Sequence, residues 1–196
     1  KQLKQELNID SEKKMLVFVG RLVPFKGVKY LIKACEFLDQ QSYHLLIVGD
    51  GYLRDELETL TKQLKLKDNI TFIGTVEFTR VPYYMCGADF FVLPSLDEGF
   101  GRVILESMAV KTLVVASRVG GIQDIIIDNK TGFFMEAANT KNISETIQKV
   151  LDMQQKDLDI IVETSHKLVN EKYEFNNSMN RFIELYDRTI CEYENS

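Results

Sequence analysis

Histidine and cysteine are scarce in this chain. Two histidines, His44 and His166, and three cysteines, Cys35, Cys86 and Cys191, occur among 196 residues. There is no HExxH and no Cys/His cluster, which argues against a structural or catalytic zinc site. The cysteines are odd in number, far apart and without a CxxC. They read as reduced thiols on packed elements and point to a cytosolic setting. No apolar run approaches the ~18 residues that a membrane span needs. Lysine and arginine form no dense face and the net charge is −5, so nucleic acid is a poor partner. The standard phosphate fingerprints are also missing. No GxxxxGK[ST] occurs, and GxGxxG fails twice, at Arg54 after Gly49 and Gly51 and at Ile104 after Gly99 and Gly101.

What is present suits one globular domain with a proper core, at 45% hydrophobic and 27% charged residues. The chain opens on Lys1 rather than Met, and KQLKQELNIDSEKK is polar throughout. Residues 1–14 are therefore expected to be a linker or a frayed helix at the start of a fragment. Five apolar runs, MLVFVG, HLLIVG, NITFIG, DFFVLPS and TLVVAS, read as buried parallel strands. Between them lie helical patterns: Val28, Leu31, Ile32, Cys35 and Leu38 on one face, then Leu53, Leu57, Leu60 and Leu64. A short TRVPYYMCGA stretch that Pro82 can open follows, and then RVILESMAV. Past Gly132 the pattern weakens to a helix over Asn142 to Leu151 and another from roughly Asn177 to Cys191. Strands alternating with helices predict an α/β fold with a Rossmann-like, doubly wound, mostly parallel sheet. Ligands in such sheets sit at the carboxyl ends of the strands. That singles out the loops RLVPFKG, GDG, GTV, SLDEGFG and SRVGGI.

In the first of these loops Arg21 and Lys26 lie five residues apart, before Gly27 and the opening of a helix, which makes a good diphosphate site. The fourth loop places Glu98 and Glu106 on either side of a Gly-Phe-Gly turn. Gly99 and Gly101 let the backbone approach a ligand, and the amides that follow can bind phosphate oxygens. An acid pair for glycoside hydrolysis is one reading of the two glutamates; a grip on sugar and ribose hydroxyls is the other. Eight fully helical steps would span ~12 Å, against ~5 to 9.5 Å for paired glycosidase carboxylates. A loop could shorten the gap, so the cationic neighbour counts for more: hydrolysis of a glycoside needs no diphosphate grip. Carboxylates also accept well from paired hydroxyls.

The order GRLVPFKG, FIGTV, PSLDEGFGRVILESMA, VGGIQDII and NKTGFF resembles retaining glycosyltransferases of the GT-B fold, in the family called group 1 or family 4. The resemblance covers roughly Met15 to Leu151, and its most specific element is E-x7-E with an upstream GR…K. It implies that the chain is the C-terminal, donor-binding half of a two-domain enzyme whose N-terminal acceptor domain lies elsewhere. Residues 15–172 would form the nucleotide-sugar-binding domain, and 173–196 a terminal helix crossing back to the other half. By the same resemblance Arg21 and Lys26 hold the donor diphosphate, Glu98 the transferred sugar and Glu106 the ribose. Gly20 and Gly99 border the donor, and the amides of Phe100, Gly101 and Arg102 lie against sugar and phosphates. The backbone at Thr75 and Val76 borders the base. No metal or other cofactor is implied. The DxD at Asp157 and Asp159, the manganese-holding type of pair in another glycosyltransferase fold, stands in a polar stretch between helical segments and not after a strand.

The chain departs from the family pattern at Lys111 and Leu113, where glycine and proline are usual, and at Gln123 and Asp124, where proline and glutamate are usual. A left-handed turn at Lys111 would cost ~1 kcal/mol relative to glycine. The implied activity is transfer of a sugar from a nucleotide-diphosphate donor with retention, with the fragment inactive alone. Work at an inner membrane face is open through the other half, on glycolipid or polysaccharide acceptors. The alternatives are a GT-B phosphorylase or sugar-nucleotide epimerase, or a non-catalytic nucleotide-binding module.

Overall fold

The computed structural model describes residues 2–173. Each of the five apolar runs forms a strand: β1 (Lys14–Val19), β2 (Tyr43–Val48), β3 (Ile70–Gly74), β4 (Phe90–Leu93) and β5 (Leu113–Ser117). Their continuous apolar character has a direct cause, because β2, β4 and β5 are buried at every residue and so meet protein on both faces. A sixth strand, β6 (Phe133–Met135), adds beside β5. All pairs are parallel, in the order β3-β2-β1-β4-β5-β6.

Helices cover both faces. The helix α2 (Val28–Cys35) packs on α3 (Arg54–Gln63) and on α6 (Thr140–Leu151). On the other side α4 (Val81–Gly87) touches α5 (Arg102–Ala109), which packs against α7 (Gln155–Lys172). The predicted stripe of α2 is the buried one, from Val28 at 2% exposure to Leu38 at 5%. Pro82 lies at the start of α4 as expected.

Three expectations are corrected. Residues 2–6 form a short helix, α1 (Gln2–Glu6), and the opening segment is packed rather than a linker. Leu3 and Ile9 are buried, and Gly87 in α4 leaves the space that Leu3 fills, since a Cβ there would lie 2.6 Å from Leu3 Cδ2. Asp89 fastens the same end: it accepts from the Met15 amide at 2.7 Å and pairs with Lys4 and Lys14. The strand β6 went unread because three residues offer no periodicity. Finally, Asp157 and Asp159 sit inside the first turns of α7, whose core stripe is Leu158, Ile161, Ser165 and Val169. Both aspartates are exposed, and Asp159 accepts from Gln155. Of the terminal helix expected over 173–196, Tyr173 closes α7 and the rest lies outside the described residues.

Lys111 does adopt the left-handed conformation, with φ 58°. The Thr112 amide reaches back to Ser107 and the Lys111 amide to Met108, so α5 still ends as a glycine would end it. The lysine ammonium pairs with Glu163 of α7 at 2.7 Å.

Candidate donor site at the strand-order switch

In this strand order the chain winds outward in both directions from β1 and β4, and the crevice between their carboxyl ends is the ligand position of the fold. The GRLVPFKG loop leaves β1 and the PSLDEGFG loop leaves β4, so the sheet itself brings these two together. Glycine makes the contact possible. Gly27 has φ 66°, and a Cβ there would stand 2.0 Å from the Pro94 carbonyl oxygen. Two residues away on each loop, the Leu96 amide donates to Phe25 O at 2.7 Å.

Between the loops the Lys26 ammonium donates to Glu98 Oε2 at 2.5 Å, with both side chains about five-sixths buried, at 15% and 16% exposure. Ser95 Oγ donates to the same carboxylate oxygen at 3.3 Å. The Phe25 ring lies under both cations of its loop, 5.8 Å from the Arg21 guanidinium carbon and 5.7 Å from Lys26 Nζ. Such contacts are worth ~0.5–1 kcal/mol at exposed sites. The Arg21 side chain is exposed and makes no hydrogen bond or ion pair among the described residues.

Two helices start here. Gly27 precedes α2 and Gly101 precedes α5, both in the left-handed conformation and both without a side-chain cap. Their first amides are therefore open to an anion, at the positive ends of the helix dipoles. No acidic residue stands in either first turn. Gly99 faces open space, with nothing within 4 Å of a Cβ built there.

The remaining carboxyl-end loops buttress this pair. A Cβ on Gly49 would meet Gly20 O at 2.0 Å, and one on Gly51 would meet Leu22 O at 2.4 Å, so the GDG loop lies directly against the β1 loop. Likewise a Cβ on Gly120 would stand 2.0 Å from Glu98 O, and the Gly121 amide donates to that oxygen at 3.1 Å. The glycines of GDG and VGG thus serve contact between loops.

Other predicted residues are less closely joined. Gly20 sits at the end of β1, its amide bonded to Val48 O. Glu106 is in the second turn of α5, one-third exposed, and among the described residues its ion-pair partner is Arg102, at 3.8 Å. Phe100 is half-exposed and the Arg102 side chain points largely into solvent. Thr75 and Val76 follow β3 at the edge of the sheet, and no hydrogen bond or ion pair of the described residues links them to Lys26 or Glu98. Sequence reasoning missed Phe25 and Ser95. The position of Phe25 between two cations in one loop was a usable signal; Ser95 carried none.

A cavity of about 230 Å³ lies at the opposite end of the sheet, among Lys14, Asp89, Leu113 and Gln155. Its lysines are already paired, Lys14 with Asp89 and Lys111 with Glu163, so it offers no convergent free charge.

Comparison with known proteins identifies the family. The model of the family "Glycosyl transferases group 1" matches residues 1–174. An uncharacterized glycosyltransferase of Methanocaldococcus jannaschii is 35% identical over 184 residues, covering 93% of this chain and 47% of its own length. The C-terminal domain of a group 1 glycosyl transferase from Francisella tularensis superposes with TM-score 0.79 at 28% identity, over 89% of this chain and 92% of that one. An Anabaena protein solved in complex with UDP and glucose shares the fold, with TM-score 0.86 at 23% identity, over 95% of this chain and 51% of that one. The chain spans about half the length, or less, of the curated relatives it matches. With its loops meeting at the strand-order switch and its sequence matching along the described length, this chain belongs to the group 1 glycosyltransferases, with the sheet of a GT-B domain.

Proposed function

We propose that the chain is the donor-binding half of a retaining glycosyltransferase of family 4, taking a nucleotide-diphosphate sugar. The observation that carries this reading is the convergence of Lys26, Arg21 and two uncapped helix starts on one crevice, with Glu98 beside them. A diphosphate needs cations and amides; a sugar needs an acceptor for its hydroxyls. The crevice offers both within one loop pair. That an Anabaena protein of the same fold was solved with UDP and glucose supports the donor class.

In this reading the Lys26 ammonium, which has three donors, keeps Glu98 on one side and takes a phosphate oxygen on the other. Arg21 supplies the second cation, and the amides of Phe100, Gly101 and Arg102 the remaining donors. Glu98 accepts from the transferred sugar and Glu106 from the ribose; Gly20, Gly99 and the backbone at Thr75 and Val76 line the donor. The bond from the anomeric carbon to the phosphate oxygen breaks with oxocarbenium character, and charge gathers on the leaving diphosphate. The acceptor oxygen bonds to the same face while its proton passes to that phosphate. Fixed donors aimed at developing charge are the largest usual catalytic contribution. Side-chain cations and amides supply it here, so the reading requires no bound metal. The acceptor, including any lipid-linked one, would be held by an N-terminal domain.

The test uses the full-length enzyme with its sugar nucleotide, reading the product's anomeric proton by NMR. The donor's own configuration is expected in the product, with Lys26→Ala lowering turnover by about 100-fold or more. An inverted product, or near wild-type turnover of the variant, overturns the reading.

A further inference from the structure

Tyr173 ends α7, on an element with no part in the donor reading, yet its ring reaches the Gly-Phe-Gly turn. Its centroid lies 6.4 Å from that of Phe100, with the planes at 63°, an edge-to-face pair. Its hydroxyl donates to the Asp124 carbonyl at 3.0 Å. Asp124 closes the short helical turn that begins at Gly120, and the Gly121 amide of that turn holds Glu98 O. The three contacts close a ring: Glu98 to Gly121, Asp124 to Tyr173, and Tyr173 back to Phe100. Lys172 lies over the other end, its ammonium 5.1 Å from the Tyr173 ring centroid.

The turn needs such a brace. A Cβ on Gly99 would meet nothing within 4 Å, Phe100 is 49% exposed, and Gly101 is in a left-handed conformation. The backbone of the turn rests on Gly121 and Tyr173 supplies the contact to its Phe100 ring, and amides that bind charge gain from being fixed in advance. We infer that Tyr173 is a positioning residue for the donor site. It holds the Glu98–Gly101 turn, through Phe100 and Asp124, in the arrangement that presents its carboxylate and amides to the diphosphate sugar. The inference rests on the donor reading above.

Two variants separate its contacts: Tyr173→Phe keeps the ring and removes the hydroxyl, and Tyr173→Ala removes both. The 196-residue chain is titrated with UDP, GDP, ADP and CDP, and hydrogen exchange of peptides spanning residues 98–102 is followed without ligand. Expected are faster exchange in that segment for Tyr173→Ala, with β3 unchanged, and weaker diphosphate binding by about tenfold for Ala and about threefold for Phe. Unchanged exchange at 98–102 overturns the inference. So does faster exchange with unaltered affinity, which leaves the donor reading standing. Should the wild-type chain bind none of the four diphosphates, the donor reading fails, and the positioning role falls with it.

Discussion

Glycines at the carboxyl ends of the strands divide into two kinds, and substitution tells them apart. Gly27 combines a left-handed backbone with a carbonyl 2.0 Å from any Cβ, so Gly27→Ala must push the β1 and β4 loops apart. It is expected to cost about 3 kcal/mol or more in stability. Gly99 has room, so Gly99→Ala should unfold within ~0.5 kcal/mol of wild type. On the donor reading its new methyl crowds the ligand, and diphosphate binding should weaken all the same. Denaturant melts together with titration check the pair; a Gly99→Ala chain that is equally stable and binds unchanged would show the crevice to be no binding surface. A second residue-scale effect concerns pH. His44 is buried on β2, hydrogen-bonded to Thr71 Oγ1 at 2.8 Å, and burial holds its pKa down at about 4. The unfolded chain takes up that proton below about pH 6.5 and the folded chain only near 4, so folding loses stability as pH falls through that window. The loss is on the order of 3 kcal/mol. Urea melts from pH 7 to 4 should therefore show a shallower decline for His44→Asn than for wild type; parallel curves would exclude His44 as the source.

Among the elements, α5 carries both the site and a local conflict. It is preceded by Gly101 beside the crevice and followed by Lys111, just past its C-cap, whose φ of 58° favours glycine. Lys111→Gly removes ~1 kcal/mol of backbone strain and forfeits an exposed ion pair with Glu163 worth ~0.5 kcal/mol. The net gain of ~0.5 kcal/mol should raise the melting temperature by about 1–2 °C. A fall in calorimetric melting temperature would mean that the α5–α7 pair contributes more than its exposure suggests. Which elements could be read beforehand follows from how they are buried. Strands β2, β4 and β5 were legible because burial on both faces demands unbroken apolar runs, and β1 and the edge strand β3 because their apolar runs end in glycine. Three residues of β6 were too few, and α7 shows a core stripe interrupted by Ser165. The opening segment is anchored by Leu3 and Ile9, with Leu7 partly buried and Lys4 paired to Asp89, too sparse an apolar pattern to read as packed. At the site, the loops were legible from glycines and charges following strands. The contact of Lys26 with Glu98, 72 residues apart, and the reach of Tyr173 to Asp124, 49 apart, depend on the strand order, which no local pattern encodes.

At the scale of the whole molecule, one sheet explains why the candidate site residues come from distant segments. Every loop that matters leaves a strand at its carboxyl end, and the reversal of order between β1 and β4 opens the crevice. The opposite end of the sheet is tied instead by Asp89, Lys4 and Lys14, whose charges are spent on each other. The exposed Arg21 guanidinium and the uncapped starts of α2 and α5 instead leave donors converging on one crevice at the carboxyl end. That asymmetry is the central claim, and calorimetric titration of the 196-residue chain with UDP, GDP, ADP and CDP, repeated on Arg21→Ala, tests it directly. The account predicts preferential binding of one diphosphate, weakened about tenfold by the substitution. Equal binding by wild type and variant, or no binding of any of the four at millimolar concentration, would contradict it.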